Sequence, residues 1–301
     1  MKNEPATYVL TLVFATFLMG SSFIVSKILL RDFAPFWLVS WRFVVAAAAM
    51  IPVVAILRTT EASTGITEQP NWPVVILIGL LQMGGTMGLL FLSMQYISAA
   101  NAAILLFTNP IWVALLGYFL LDERLGWWQV VSLLAGLLGV GLAMGLRSAD
   151  LELQGNLPGL GVALFWAAST IVGKRYSARM HPLRLTLWQM LAGGVVLLTI
   201  SLTVAEQQQW PVTANQWGWF LWLALPASAG SFGLWFLALQ RGGAARPSSF
   251  LFLAPLFATL LSVAVLGTSL SGWQLVGGVL VGLSIYGMNA RQTRLRPSLF
   301  N

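Results

Sequence analysis

Ten apolar runs, each close to the length that crosses a bilayer, follow one another with little between them. They cover about residues 7–30, 35–57, 73–94, 99–121, 126–146, 157–176, 183–205, 217–239, 245–267 and 271–290. A helix needs about 20 apolar residues to span the hydrocarbon core. Backbone groups in lipid must satisfy one another, which leaves closed barrels or helices. The alternating segments of roughly 10 residues that mark a barrel are absent. Only 8% of the 301 residues are charged, against roughly 25% in a soluble domain. The expected fold class is therefore an all-α polytopic membrane protein with ten transmembrane helices. The first run, Tyr8–Leu30, is longer than a signal-peptide core and reads as a retained helix.

Lysine and arginine sort by side. With the N-terminus in the cytoplasm, twelve fall inside: Lys2, Arg58, Arg124, Lys174, Arg175, Arg179, Arg184, Arg241, Arg246, Arg291, Arg294 and Arg296. Three, Lys27, Arg31 and Arg147, fall outside. This bias predicts cytoplasmic termini. It also accounts for the net charge of +7 without a basic patch, so no nucleic-acid partner is expected. The chain has no cysteine and one histidine, His181. Thiolate metal sites, disulfides and histidine pairs are thereby excluded, and no cofactor or metal is expected. No paired-carboxylate or nucleophile motif is visible, so the chain does not read as an enzyme.

Two stretches are copies of each other. Ala99–Leu125 and Ala244–Leu270 are apolar helix patterns interrupted at Pro110 and Pro255, 145 residues apart. An interior proline costs a helix about 3 kcal/mol, so each is expected to mark a bend, or hinge. At the same shift Gly85 meets Gly230, Gly88 meets Gly233, and Trp128-Gln129 meets Trp273-Gln274. At a shift of 147, Lys27 meets Lys174, Pro35 meets Pro182 and Trp41 meets Trp188. The pattern predicts one five-helix unit used twice, over 1–147 and 155–291, with a basic tail at 292–301. Five is odd, so the second unit would insert upside down, the construction of many secondary transporters. The turn after Leu121, Asp122-Glu123-Arg124, is charged. Its counterpart, Gly267-Thr268-Ser269, is merely polar.

Gly20-Ser21-Ser22-Phe23 followed by Lys27, then Trp41-Arg42-Phe43, resembles the start of an EamA-type repeat. Asn109-Pro110 followed by Leu121-Asp122-Glu123-Arg124-Leu125 and Trp128-Gln129 is similar to its end. EamA proteins belong to the drug/metabolite transporter superfamily. The resemblance covers nearly the whole chain. It implies ten helices, termini inside, a central cavity between the halves, and export of small metabolites or drugs. The second repeat departs from the pattern, with Thr268 in place of the glutamate and Gln189 in place of the arginine.

All nine acidic residues fall in tails, loops or helix ends. A carboxylate proton relay within the membrane is therefore not expected. Arg42 is the one charge placed well inside a run. Either it faces a cavity and attracts an anionic group, or it caps carbonyls of a neighbour or snorkels outward. Lys27 and Lys174 would stand near the two mouths of a pathway, or snorkel. Gln82 and Thr86, four apart, share a helix face, and Ser231 matches Thr86. They line a cavity or hydrogen-bond between helices. Asn109 beside Pro110 bonds a freed carbonyl or a ligand. Trp41 and Gln189, with several of the mid-run aromatics Phe107, Trp112, Trp166, Trp188 and Trp235, complete the candidate lining, packing or lipid contact being the alternative for each aromatic. The expected function is a secondary transporter in a bacterial inner membrane, monomeric or homodimeric. It would export amino acids or related amphipathic or toxic compounds by alternating access. A membrane enzyme acting on lipid-linked substrates and a facilitative channel are the competing classes.

Overall fold

A computed structural model describes residues 4–62, 71–96, 105–106, 108–123, 126–144, 153–176, 180–241, 247, 250–266 and 272–290. Every regular element among them is helical. They are α1 (Glu4–Leu29), α2 (Pro35–Ala62), α3 (Trp72–Gly79), α4 (Thr86–Tyr96), α5 (Asn109–Leu120), α6 (Trp127–Met144), α7 (Leu153–Tyr176), α8 (Pro182–Thr203), α9 (Ala214–Ala224), α10 (Ser231–Arg241), α11 (Leu253–Leu266) and α12 (Gly272–Ala290). A π-helical turn, Leu80–Gly85, joins α3 to α4 without a break, and a second, Leu225–Gly230, joins α9 to α10. Six of the resulting rods are long and apolar enough to span a membrane. These are Thr7–Ser26, Pro35–Ile56, Trp72–Leu90, Leu153–Tyr176, Pro182–Thr203 and Ala214–Leu239. Asn109–Leu120, Trp127–Leu142, Phe250–Val265 and Leu275–Ser284 are shorter apolar helices.

Among the described residues, large apolar side chains stand at the surface and polar ones are buried. Leu10, Phe14, Phe119, Leu138 and Tyr286 are exposed, while Ser40, Arg42, Gln82, Asn109, Ser169, Thr170 and Gln189 are buried. Water would penalise that distribution, whereas lipid favours it, because polar groups in a bilayer turn toward protein.

Packing runs between the first six helices and the last six. α1 packs on α10 and α11, and α7 packs on α4 and α5. α2 meets α8 and the second π turn, α8 meets the first π turn, and α6 lies along α12. Glycine permits the closest approaches. A Cβ on Gly79 would lie 2.9 Å from the Gln189 carbonyl oxygen, and one on Gly139 would lie 2.8 Å from that of Gly277. Small residues at such crossings replace the hydrophobic drive that lipid removes.

The π turns lie 145 residues apart, the spacing of the two prolines. In each, an amide reaches five residues back: Thr86 N–H to Leu81 O, and Ser231 N–H to Pro226 O. Hydroxyls occupy the loosened carbonyls. Thr86 Oγ1 donates to Leu81 O (2.9 Å), Ser228 Oγ to Leu223 O (2.7 Å) and Ser231 Oγ to Ala227 O (2.7 Å). Such extra-residue turns concentrate at functional sites.

The prolines fall differently from the interior positions expected. Pro110 occupies the first turn of α5, after the turn residue Thr108. There the missing N–H would have had no helical partner, so the interior cost does not arise. Pro255 is the third residue of α11, which follows a 3-10 turn at Phe250–Phe252. Prolines inside helices are Pro52 in α2 and Pro158 in α7. Residues 97–104, where the fourth run was expected to begin, lie outside the described residues.

Candidate functional site between the halves

α7 is the buried centre of the first polar cluster. Val162, Ala163, Trp166, Ala167, Ser169, Thr170, Ile171 and Gly173 are all buried along it. Asn109 Nδ2 donates to the Ala163 carbonyl at 3.2 Å. Nearly two turns on, the Ser169 hydroxyl sits between the Trp166 carbonyl, at 2.9 Å, and the amide oxygen of Gln82 in the first π turn. The Trp166 ring faces Phe232 of α10 at a centroid distance of 6.4 Å, and Trp235, one turn beyond Phe232, is fully buried. Several buried polar atoms here have no hydrogen-bond partner: Trp166 Nε1, Trp235 Nε1, Thr170 Oγ1, Gln82 Nε2 and Asn109 Oδ1. Native interiors rarely leave such groups empty.

The second cluster centres on Arg42, which is only 4% exposed. Its Nε donates to Ser228 Oγ in the second π turn at 3.0 Å, and its guanidinium carbon lies 4.8 Å from the centre of the Phe43 ring. Gln189, the aligned residue of the later half, is fully buried with both amide atoms unpartnered.

Two further groups lie toward opposite ends of α2 and α7. The loop after α8 returns to the start of α2. Ala205 takes a left-handed conformation (φ 53°), and the Glu206 amide closes on the Ser201 carbonyl at 3.1 Å. That turn aims the Glu206 carboxylate at the α2 N-terminus, where it accepts from Phe36 N–H (3.1 Å), Trp37 N–H (2.8 Å) and Ser201 Oγ (2.7 Å). Capping by an anion matches the helix dipole. Trp210 packs on Trp41 (4.7 Å) and Trp37 (5.7 Å), and Trp37 Nε1 donates to the Gln209 carbonyl (2.7 Å). Gln216 caps α9 together with Thr213 and donates to Asp32 at 3.0 Å. At the end of α7, Lys174 Nζ donates to the Leu239 carbonyl (3.1 Å) and Arg175 Nη1 to the Leu120 carbonyl (3.2 Å). The Glu123 carboxylate folds over Gly117, where a Cβ would lie 3.2 Å from Oε2.

The candidates drawn from the sequence therefore separate. Gln82, Asn109, Trp166 and Trp235 gather at α7, and Arg42 stands with Ser228. Thr86 and Ser231 spend their hydroxyls on π-turn carbonyls. Trp41 joins the Trp37–Trp210 cluster, with its Nε1 buried and unpartnered. Trp112 donates to Thr108 Oγ1 (3.2 Å) beside the break before α5, and Trp188 pairs with Trp72 (4.8 Å). His181 caps α8, its Nδ1 accepting from Leu183 N–H at 3.3 Å. The Lys27 side chain lies outside the described residues. Sequence reasoning missed Ser169, Thr170, Ser228 and Glu206. Ser228 stands three residues before Ser231 on the same rod, a usable signal. Nothing near Glu206 in sequence points to a helix 170 residues away. Among the described residues, no three His, Cys, Asp or Glu side chains gather to hold a metal.

A polytopic helical bundle with an apolar exterior and polar groups bridging its halves defines an integral membrane protein. The EamA-like transporter family model matches it twice, at residues 6–145 and 153–290. The chain belongs to that family, whose members are named transporters and not enzymes. It is 28% identical to the Bacillus subtilis uncharacterized transporter YyaM over 268 residues, 86% of this chain and 85% of that one. It is also 28% identical to the Synechocystis uncharacterized transporter sll0355 over 306 residues, 94% and 90% of the two chains. Protein PecM of Dickeya dadantii is 28% identical over 215 residues, 69% of this chain and 72% of its own. A crystal structure 21% identical in sequence superposes over 97% of this chain and 99% of its own, with a TM-score of 0.81.

Proposed function

We propose that the protein is a secondary transporter of small amphipathic metabolites, amino acids among them, working outward across a bacterial inner membrane by alternating access. One observation carries this reading. Three buried polar bonds, Arg42–Ser228, Gln82–Ser169 and Asn109–Ala163, each cross from the first half of the chain to the second. Groups around them remain unpartnered. A midplane seam of that kind is where a transporter holds its substrate.

The inverted ten-helix reading draws support from the packing. Exchange α1 with α7, α2 with α8, the α3–α4 rod with the α9–α10 rod, α5 with α11 and α6 with α12. Each major contact then maps onto another or onto itself. The shared spacing of the π turns supports the same reading, and the lysine and arginine bias supports cytoplasmic termini. In this orientation the Glu206 loop closes the outer mouth and the Lys174 region the inner one. Arg42 and Gln189 serve the substrate, while the π turns and the breaks before Pro110 and Pro255 flex. No acidic residue lies in α3, α4, α5, α7, α9 or α10, which favours binding without a carboxylate relay.

Proteoliposomes loaded with a radiolabelled amino-acid panel, with and without a proton gradient, test the function. Efflux of at least one member is expected. Absence of flux for the whole panel overturns the amino-acid assignment, and gradient-driven flux abolished by Glu123→Gln overturns the relay-free mechanism.

A further inference from the structure

We propose that the polar cluster around Trp166–Thr170 of α7 binds acceptor-rich solutes that are neutral or anionic, and excludes cations. This rests on the transport reading above and gives its substrate class. Five unpartnered polar atoms, from side chains 6% exposed or less, ring that turn from four rods. Trp166 and Thr170 are on α7 itself. Gln82 is held to the turn through Ser169, Asn109 through the Ala163 carbonyl, and Trp235 lies one turn beyond Phe232, which faces Trp166.

The chemistry of the ring is lopsided. Indole nitrogens only donate, and a primary-amide nitrogen only donates. Trp166, Trp235 and Gln82 therefore offer N–H groups, and Thr170 offers a hydroxyl. Asn109 Oδ1 alone is purely an acceptor. A carbonyl- or carboxylate-bearing ligand would satisfy these donors, which would otherwise stay desolvated. A cation would enter without a counter-ion, since none of the four rods carries an acid. The Trp166 and Phe232 rings, with centroids 6.4 Å apart and tilted by 33°, form an ordinary aromatic pair and give the donors an apolar wall.

Three probes share one flat body and differ in charge: naphthamide (neutral), naphthoate (anionic) and naphthylmethylammonium (cationic). Calorimetric titration of the full chain in lipid nanodiscs should show saturable binding of the first two. The cation should bind at least about tenfold more weakly, the factor that 1.4 kcal/mol of discrimination gives. Thr170→Val keeps the shape and deletes the unpartnered hydroxyl. It should leave the ligand-free Tm unchanged or higher and weaken naphthamide by about tenfold. Gln82→Glu should shift the cation-to-anion preference toward the cation by at least about tenfold, by supplying a counter-charge. Equal or tighter binding of the cation by the natural chain overturns the proposal. So does a lower ligand-free Tm in Thr170→Val with unchanged affinity, because the hydroxyl is then structural. If naphthamide fails to bind while other solutes still cross proteoliposomes, the cluster assignment falls and transport stands. If it binds as described and no solute crosses, transport falls and the cluster assignment stands.

Discussion

The two π turns share a backbone and differ in what hangs from it. Leu80–Gly85 reads Leu-Leu-Gln-Met-Gly-Gly, and Leu225–Gly230 reads Leu-Pro-Ala-Ser-Ala-Gly. Each ends in an amide bonded five residues back, and in each a hydroxyl covers a loosened carbonyl. The first turn sends Gln82 to Ser169 of α7. The second has Ala227 at the aligned position and sends Ser228 to Arg42 instead. The partners have diverged in the same way, since the counterpart of Arg42 is Gln189 and that of Ser228 is Met83. Backbone irregularity is thus kept in both halves while polar chemistry is distributed unequally. On the proposed transport reading, bending would be needed in both halves, whereas a solute without internal symmetry would meet a different set of groups on each side.

Making the halves alike in the wrong direction should have the largest effect. Gln189→Arg buries a guanidinium opposite Met83, which offers no oxygen. Breaking a buried pair costs about 3–5 kcal/mol, and an unpaired arginine in this position is in the same class. Folded protein recovered in detergent should fall sharply, and adding Met83→Ser should restore part of it. Normal recovery of Gln189→Arg alone would show that the Gln189 pocket is already wet.

The opposite change, Arg42→Gln, copies the later half into the earlier one. Ser228 keeps its bond to the Leu223 carbonyl, so the fold should survive. A charge-assisted contact contributes about 1.5–3 kcal/mol, so competition binding should show carboxylate ligands weakened by about 10- to 150-fold. Their neutral amides should change far less. Equal loss for both would remove Arg42 from anion recognition.

The ends of the bundle are unlike as well. Glu206 caps α2 with a carboxylate, whereas Lys174 and Arg175 cap carbonyls with cations. Each sign suits the helix end it meets. Glu206→Ala removes two cap bonds and should cost about 1–2 kcal/mol. The chain has no cysteine, so a single cysteine at Ser228 reports opening of that end through maleimide labelling. Labelling should rise by about 5- to 30-fold on this energy scale. Unchanged labelling would mean that the loop does not cover the seam.

The all-helical class and the approximate bounds of most apolar runs were legible because lipid imposes a length and a polarity on each span. Most expected runs match observed elements to within a few residues. The family was legible from Trp41-Arg42-Phe43 and the Asn109-Pro110 stretch. The π turns were not, because a one-residue insertion leaves hydrophobicity untouched. Pro110 misled for a related reason: composition continued through Thr108 while the helix did not. Glu206 was out of reach because its partner lies 170 residues away, whereas Ser228 was signalled only by its place three residues before Ser231.

The smallest effect is expected where the two π turns differ by a proline. Pro226 stands where the first turn has Leu81, yet both residues supply the carbonyl that closes the turn. A proline deletes an N–H and so favours a turn that leaves its ladder position open. The first turn keeps the same geometry with a leucine, held by Thr86 and the close contact of Gly85 with Phe165. Proline is therefore not required for the irregularity. Pro226→Leu should keep the second π turn through Ser228 and Ser231, and change stability by less than about 1 kcal/mol, the range of a tolerated proline exchange. A thermal melt in nanodiscs measures that change, and the Arg42-dependent preference for carboxylates reports whether Ser228 still faces the guanidinium. Loss of that preference with an intact melt would show that proline, and not the hydroxyls, holds the second turn.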